Sequence, residues 1–216
     1  MTKYQGGTRM TDVELFEYCK AKGESLLASG IEFYEQKKYE AYQQMEIGKI
    51  EYCGFSDLHR GFYCPSPVYD IIVGNTRRGR LIAKPKANSK ISHKYHYGLD
   101  GKLLYDVKSG DATEYLVTDG ATRRGYTIYF EKLWYIAEET FENGRIVEYL
   151  HCCLANPYSD IRCGSSHYEA YTYNDGKISV CDQSFLNFPN NYIWRERYSL
   201  HYRGDRIVDF SRIKKE

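Results

Sequence analysis

No stretch of this chain approaches the roughly 20 consecutive apolar residues that a membrane-spanning helix needs. Residues 1–10 lack the apolar core of a secretory signal, so neither a membrane anchor nor export is expected, and 1–10 reads as a flexible leader. An excess of either charge is missing too. Lys+Arg number 30 against 29 Asp+Glu, so no global field draws the chain to nucleic acid or to an acidic membrane. There is no Walker loop, no GxGxxG after a strand, no HExxH, no GxSxG and no EF-hand pattern. No cofactor and no catalytic group is therefore assigned. A regular cysteine framework is also lacking. Cys19, Cys53, Cys64, Cys152, Cys153, Cys163 and Cys181 are odd in number, unevenly spaced and include an adjacent pair. That predicts reduced thiols and a cytoplasmic protein.

What the chain has in abundance is tyrosine, with 23 residues. Tyrosine supplies apolar area with a polar tip, which suits a half-wet sheet face. A mean hydropathy of −0.63 with 16% aromatics fits a soluble β-protein whose outer face is polar.

The tyrosines are organised around short turns. Tyr171-Thr172-Tyr173-Asn174-Asp175-Gly176-Lys177-Ile178-Ser179-Val180 reads as two strands joined at Asp-Gly. A type I′ turn needs positive φ at both central residues, which Gly adopts at no steric cost. The order aromatic, Asn or Asp, Gly, base, aliphatic recurs at Phe141–Ile146 and, with one extra residue, at Tyr97–Leu103. It recurs at Tyr202–Ile207 with Gly and Asp exchanged, and an incomplete copy lies at Thr118–Ala121. One hairpin is marginal in water, so these units must pair into a common sheet. Their uneven spacing argues against a solenoid, whose period is fixed.

Tyr95, Tyr97, Asp100, Gly101, Lys102 and Leu103, and again Tyr171, Tyr173, Asp175, Gly176 and Lys177, carry a resemblance. The pattern resembles the YD-type hairpin repeats of Rhs-like proteins. That resemblance implies stacked β-hairpins and, through toxin systems of that type, an immunity- or antitoxin-like partner-binding role.

Ahead of the hairpins, Thr11-Asp12-Val13-Glu14 is a capping box. Val13, Phe16, Cys19, Leu26 and Leu27 follow at helical spacing, predicting a helix over 12–29 with Gly30 as its stop. Residues 31–44 fit helix or strand, and are read as helix giving way to a strand by Met45. Strands are expected at 46–55, 68–73 and 80–83, and two more within 126–139, split near Glu131-Lys132. Loops are expected at 61–67, 156–166 and 185–191. The fold is thus mainly β: an antiparallel meander or partly closed barrel over 46–216, covered by a helical segment over 11–45, in one domain from 11 to 216.

Looser constellations remain. His151, Cys152, Cys153, Cys163 and His167 hold enough soft ligands for zinc, but no Cys-x2–4-Cys knuckle is present. Adjacent strand residues also point to opposite faces, so these thiols are read as small hydrophobes and no metal is assigned. Cys64 near His59 lacks any oxyanion-hole signature and is read as a loop cysteine. Arg203-Gly204-Asp205 falls on a hairpin turn and is discounted as an adhesion signal. His93, His96, His151, His167 and His201 lie in or beside strands and would meet in the mouth of a barrel, the enzyme reading. From Ile71 to Leu99 there is no acidic residue, while Arg77, Arg78, Arg80, Lys84, Lys86, Lys90 and Lys94 lie there. The acids of the N-terminal segment balance them.

The binding surface assigned from these patterns is Arg77, Arg78, Arg80, Tyr95, Tyr97, Arg123, Arg124, Trp134, Tyr171, Tyr173 and Trp194. Tyr and Arg are the residues that dominate protein interfaces. An acidic protein is the expected partner, nucleic acid the weaker one. Carbohydrate or another small ligand on Trp134, Trp194 and Tyr192 is the alternative.

Overall fold

A computed structural model describes residues 10–54, 80–108, 111–156, 160–204 and 206–213. The expected strand over 68–73, the loop over 61–67, Cys64 and His59 lie outside them. Two helices, α1 (Asp12–Glu35) and α2 (Lys38–Gln44), precede β1 (Ile47–Gly54) and β2 (Arg80–Leu81). Then follow β3 (His93–Gly98), β4 (Leu103–Lys108), β5 (Ala112–Asp119), β6 (Thr122–Tyr129) and β7 (Lys132–Glu142). The chain continues with β8 (Arg145–Asn156), β9 (Asp160–Asn174), β10 (Lys177–Asn187), β11 (Tyr192–Arg203) and β12 (Arg206–Arg212).

All twelve strands form one antiparallel sheet, in the order β12-β11-β10-β9-β8-β7-β6-β5-β4-β3-β1-β2. From β3 onward each strand pairs with the next in the chain. The meander alternative holds, and the sheet does not close into a barrel, because β12 and β2 are its two edges.

The turns behave as their residues require. Asn143 and Gly144 have φ of 50° and 75°, and Asp175 and Gly176 have 50° and 79°, the paired positive values of a type I′ turn. Gly101, at φ 77°, closes a three-residue loop in which its N–H donates to the Gly98 carbonyl at 3.0 Å. The turn between β6 and β7 uses Phe130 and Glu131 instead, both at positive φ (45° and 57°) without glycine or asparagine.

The capping box at Thr11 is present in full: Thr11 accepts from the Glu14 N–H, and the Glu14 carboxylate accepts from the Thr11 N–H. The helix does not stop at Gly30 but runs on to Glu35. Gly30 is instead a point of close approach. A Cβ there would overlap Ile136 Cδ1 and sit 3.2 Å from Leu133 Cδ2. Residues 31–44 are helical apart from a break at Gln36 and Lys37, and the strand begins at Ile47.

The expected loop at 156–166 is largely strand, and the one at 185–191 is strand at its first three residues and a turn over 188–191. Residues 160–166 open β9, and Phe185–Asn187 close β10. Each is flanked by a partner that supplies the ladder bonds: Ser165 and Ser166 face Cys153 and Cys152, and Phe185 faces Trp194.

The helices cross one face diagonally, from β11, where Arg195 donates to the Met10 carbonyl, to β5, where Gln43 donates to the Tyr115 hydroxyl. Leu15, Cys19, Leu26 and Phe33 pack on Leu133, Ile136, Leu150, Cys152, Tyr168 and Leu186. Lys22 sits between Glu138 (3.2 Å) and Glu148 (3.1 Å), and Tyr18 and Tyr168 both donate to Glu148. The opposite face is not the simple polar surface that the composition suggests. It carries a second core of Ala137, Tyr149, Tyr171, Ile178, Cys181 and Leu200.

Gly30→Ala separates two accounts of this glycine. If Gly30 were an ordinary helix-interior residue, alanine would add roughly 1 kcal/mol of stability. The contact with Ile136 predicts the opposite sign, a loss of about 1–3 kcal/mol from overpacking, read from urea midpoints.

Candidate functional site

Arg77 and Arg78 lie outside the described residues. The remaining residues of the expected binding surface fall into three settings. Tyr95 and Tyr171 are core residues, 0% and 4% exposed, because the strand alternation that places tyrosines on one face does not say which face is sealed. Tyr97 is half-buried and donates to Glu51 at 2.8 Å, and Tyr173 donates to the Ile146 carbonyl at 2.9 Å beneath the Arg145 guanidinium. Arg123 and Arg124 point to opposite faces of β6, where Glu139 and Glu138 of β7 neutralise them. Arg80 and Trp194 are exposed, Trp134 is half-buried, and Arg80 on β2 and Trp194 on β11 lie toward opposite edges of the sheet.

The two tryptophans are nevertheless connected. On the face away from α1, strand register aligns His151, His167, Phe185 and Trp194 as successive Cα partners across β8 to β11. The rings touch in series. Trp194 lies 5.4 Å from Phe185, Phe185 4.4 Å from His167, and His167 6.2 Å from Tyr149. Tyr149 is next to His151, His151 is stacked on Tyr135 at 5.3 Å, and Tyr135 leads to Trp134. Trp134 reaches Tyr129, which lies against Phe130 in the glycine-free turn. The row is exposed at its ends, with Trp194 at 39% and Phe130 at 54%, and buried in the middle at Tyr149 and His167. No sequence spacing signals this row, because it depends on the register of six strands.

Beside it lies a buried carboxylate. Glu169, fully buried, accepts at Oε1 from the Gln183 amide (3.0 Å) and faces His167 Nε2 at 2.5 Å. At Oε2 it accepts from the Tyr171 hydroxyl (2.6 Å) and from the Cys181 thiol (3.7 Å). A buried carboxylate is tolerated only with such donors, since desolvating an unpaired charge costs several kcal/mol or more. Burial and the Glu169 charge together push the Cys181 thiol well above its ordinary value.

Of the five strand histidines, the structure brings only His151 and His167 together. His93 pairs with Asp106 (2.8 Å), His96 is stacked on Tyr105, and His201 bonds Ser211. Burial pushes His151 down to about 3, with the charges of His167 and Lys108 acting in the same direction. Among the described residues no group of three His, Cys, Asp or Glu side chains is placed to hold a metal ion. No helix there is long and apolar enough to cross a membrane.

The other feature with surface is the basic segment. Arg80, Lys84, Lys86, Lys90 and Lys94 are all exposed, around and between β2 and β3. Next to them Leu81 and Ile50 are 50% and 38% exposed. Among the described residues β1 pairs with β2 at Cys53 and Gly54, and the Ile82 N–H donates to the Tyr52 carbonyl at 2.8 Å.

A histidine kept neutral in the fold but free to protonate when unfolded contributes stability above about pH 6.5. That contribution is lost as pH falls toward about 3. Urea midpoints of the wild-type chain should therefore fall between about pH 7 and about pH 4, and His151→Gln should flatten part of that fall. An unchanged slope would place His151 in water. As to relatives, the chain matches no protein-family model, no curated protein and no solved structure.

Proposed function

We propose that this protein is a binding module whose partner is an acidic protein surface, docked on the β1–β2 edge of the sheet. The observation that carries the reading is the set of five exposed cations, Arg80, Lys84, Lys86, Lys90 and Lys94, in a segment without a single carboxylate. They border exposed Ile50 and Leu81, so the edge offers apolar contact inside a basic rim. Charge of this kind sets encounter rate and partner choice more than raw affinity. Arg123 and Arg124 drop out of this surface, because their charge is already neutralised by Glu139 and Glu138. The likeness of the hairpin units to Rhs-type repeats makes an immunity-type inhibitor of a toxin the particular form we favour, and a cytoplasmic setting goes with it.

A second reading has its own observation. The ring series from Trp194 to Phe130 is a platform of the kind that stacks on sugars or other flat small ligands, with exposed rings at both ends. Its signature would be a shift in Trp fluorescence on ligand binding that Trp194→Ala abolishes.

The two readings separate in one experiment. The wild-type chain, a Lys84→Glu/Lys86→Glu/Lys90→Glu variant and Trp194→Ala are compared for recovery of stoichiometric partners from extracts of the native cell. The acidic-protein reading expects one acidic protein that survives nuclease treatment, is released by salt, and binds the charge-reversed variant at least roughly tenfold more weakly. Trp194→Ala should bind it like wild type. Equal recovery on the charge-reversed variant, or loss on nuclease treatment, contradicts the reading.

A further inference from the structure

Of the residues weighed as zinc ligands, two cysteines come together beneath α1. Cys152 lies on the helix-facing side of β8 and Cys163 on the neighbouring β9, at the irregular register between Cys153 and Leu154. Ser166 Oγ is 3.3 Å from Cys152 Sγ and 3.5 Å from Cys163 Sγ. Both sulfurs also crowd the same point on the helix: a Cβ at Gly23 would lie 3.3 Å from Cys152 Sγ and 3.8 Å from Cys163 Sγ. The absence of a side chain at Gly23 is what leaves room for the pair. Their accessibility differs. Cys152 is fully buried, whereas Cys163 is half-buried and lines a pocket of about 240 Å³ with Lys20, Glu24, Arg162 and Phe188.

We propose that Cys163 and Cys152 are an oxidisable thiol pair: Cys163 is attacked first by a hydroperoxide entering from the pocket, and Cys152 resolves the product as a disulfide. In the first step the Cys163 sulfur forms an S–O bond while the peroxide O–O bond breaks. The leaving oxygen departs as water or an alcohol, and Cys163 becomes a sulfenic acid. In the second step Cys152 sulfur attacks Cys163 sulfur, the S–S bond forms, the S–O bond breaks, and the hydroxyl leaves as water with the Cys152 proton. Two thiols lose two electrons and one hydroperoxide gains them.

The electrostatics suit this division of labour. The Cys152 thiol, donated toward Cys163, and the Ser166 hydroxyl draw Cys163 below the ordinary thiol value, although burial and Glu24 oppose them. The same bond and its burial hold Cys152 well above that value, so it stays protonated until a sulfenic acid forms beside it. Cys153 cannot substitute. Its side chain points to the other face, toward His151 Nδ1, and burial raises its thiol.

The test is peroxide titration of the purified full chain, followed by alkylation and peptide mapping. The expected result is the joint loss of two alkylatable thiols, a linked peptide joining Cys152 to Cys163, and full reversal by dithiothreitol. Cys163 should react roughly tenfold faster than Cys153 or Cys19. In Cys152→Ala, Cys163 should accumulate as a sulfenic acid trapped by dimedone, and in Cys163→Ala, Cys152 should be spared. A linked peptide joining any other pair overturns the proposal, as does a Cys163 no more reactive than Cys153. The wild-type mapping decides alone if the core variant Cys152→Ala does not fold.

Discussion

The close approach of α1 to the middle of the sheet is the contact on which the rest of the molecule depends. Hairpins pair readily, but a sheet of hairpins with one bare apolar face is not a stable end point in water. Here Gly23 and Gly30 remove the side chains that would hold the helix off β7–β9. Leu15, Leu26 and Phe33 then bury against that face, each contributing about 1.5–3 kcal/mol when fully taken out of water. Lys22 fixes the helix along its axis. Its charge is held between Glu138 and Glu148, whose other lone pairs are occupied by Arg124, Tyr18 and Tyr168. The result is a satisfied polar network at the helix–sheet boundary, which specifies one docking geometry where apolar contact alone would tolerate several.

The sheet itself is a local construction. Every neighbour pair from β3 to β12 is consecutive in the chain, so no long crossover has to form before the ladder is complete. Bulges recur along it, as between Thr140 and Phe141 and between Ile178 and Val180, and each adds twist where one residue is extra. The face away from α1 buries acids such as Glu169 and Glu139 among tyrosines, histidines and arginines. Two edges are left. One carries the exposed cations, and a basic edge also discourages indiscriminate strand pairing.

Much of this organisation was readable from local chemistry. Gly101, Gly144, Gly176 and Gly204 lie in turns because each needs positive φ, a property of the residue and not of its surroundings. The Thr11–Glu14 capping box is local in the same sense. What could not be read depends on contacts distant in sequence. Gly30 looks like a helix stop until Ile136 is seen above it. Residues 160–166 have loop composition, yet β8 and β10 on either side convert their backbone groups into ladder bonds. The Phe130–Glu131 turn has no glycine to announce it. The site shows the same split. Tyr171 and Tyr173 pack in the same core, but nothing in the sequence reveals that Tyr171 serves a buried glutamate. Nor did it show Trp134 and Trp194 joined through His151, His167 and Phe185, because register is not encoded in any one strand.

Surface and interior therefore divide the chemistry between them. Half-buried arginines with buried tyrosines and acids hold the sheet together, and the groups left at the surface are the basic edge, the ends of the aromatic row and the Cys163 pocket. The most direct measurement is a nuclear Overhauser effect between the Gly30 α-protons and the Ile136 δ-methyl in the folded protein. A strong cross-peak, with a companion from Gly23 to the Cys152 β-protons, is the result expected of a helix seated on β7 and β8. Its absence in a well-dispersed spectrum, with the helix still formed, would contradict the account at its base.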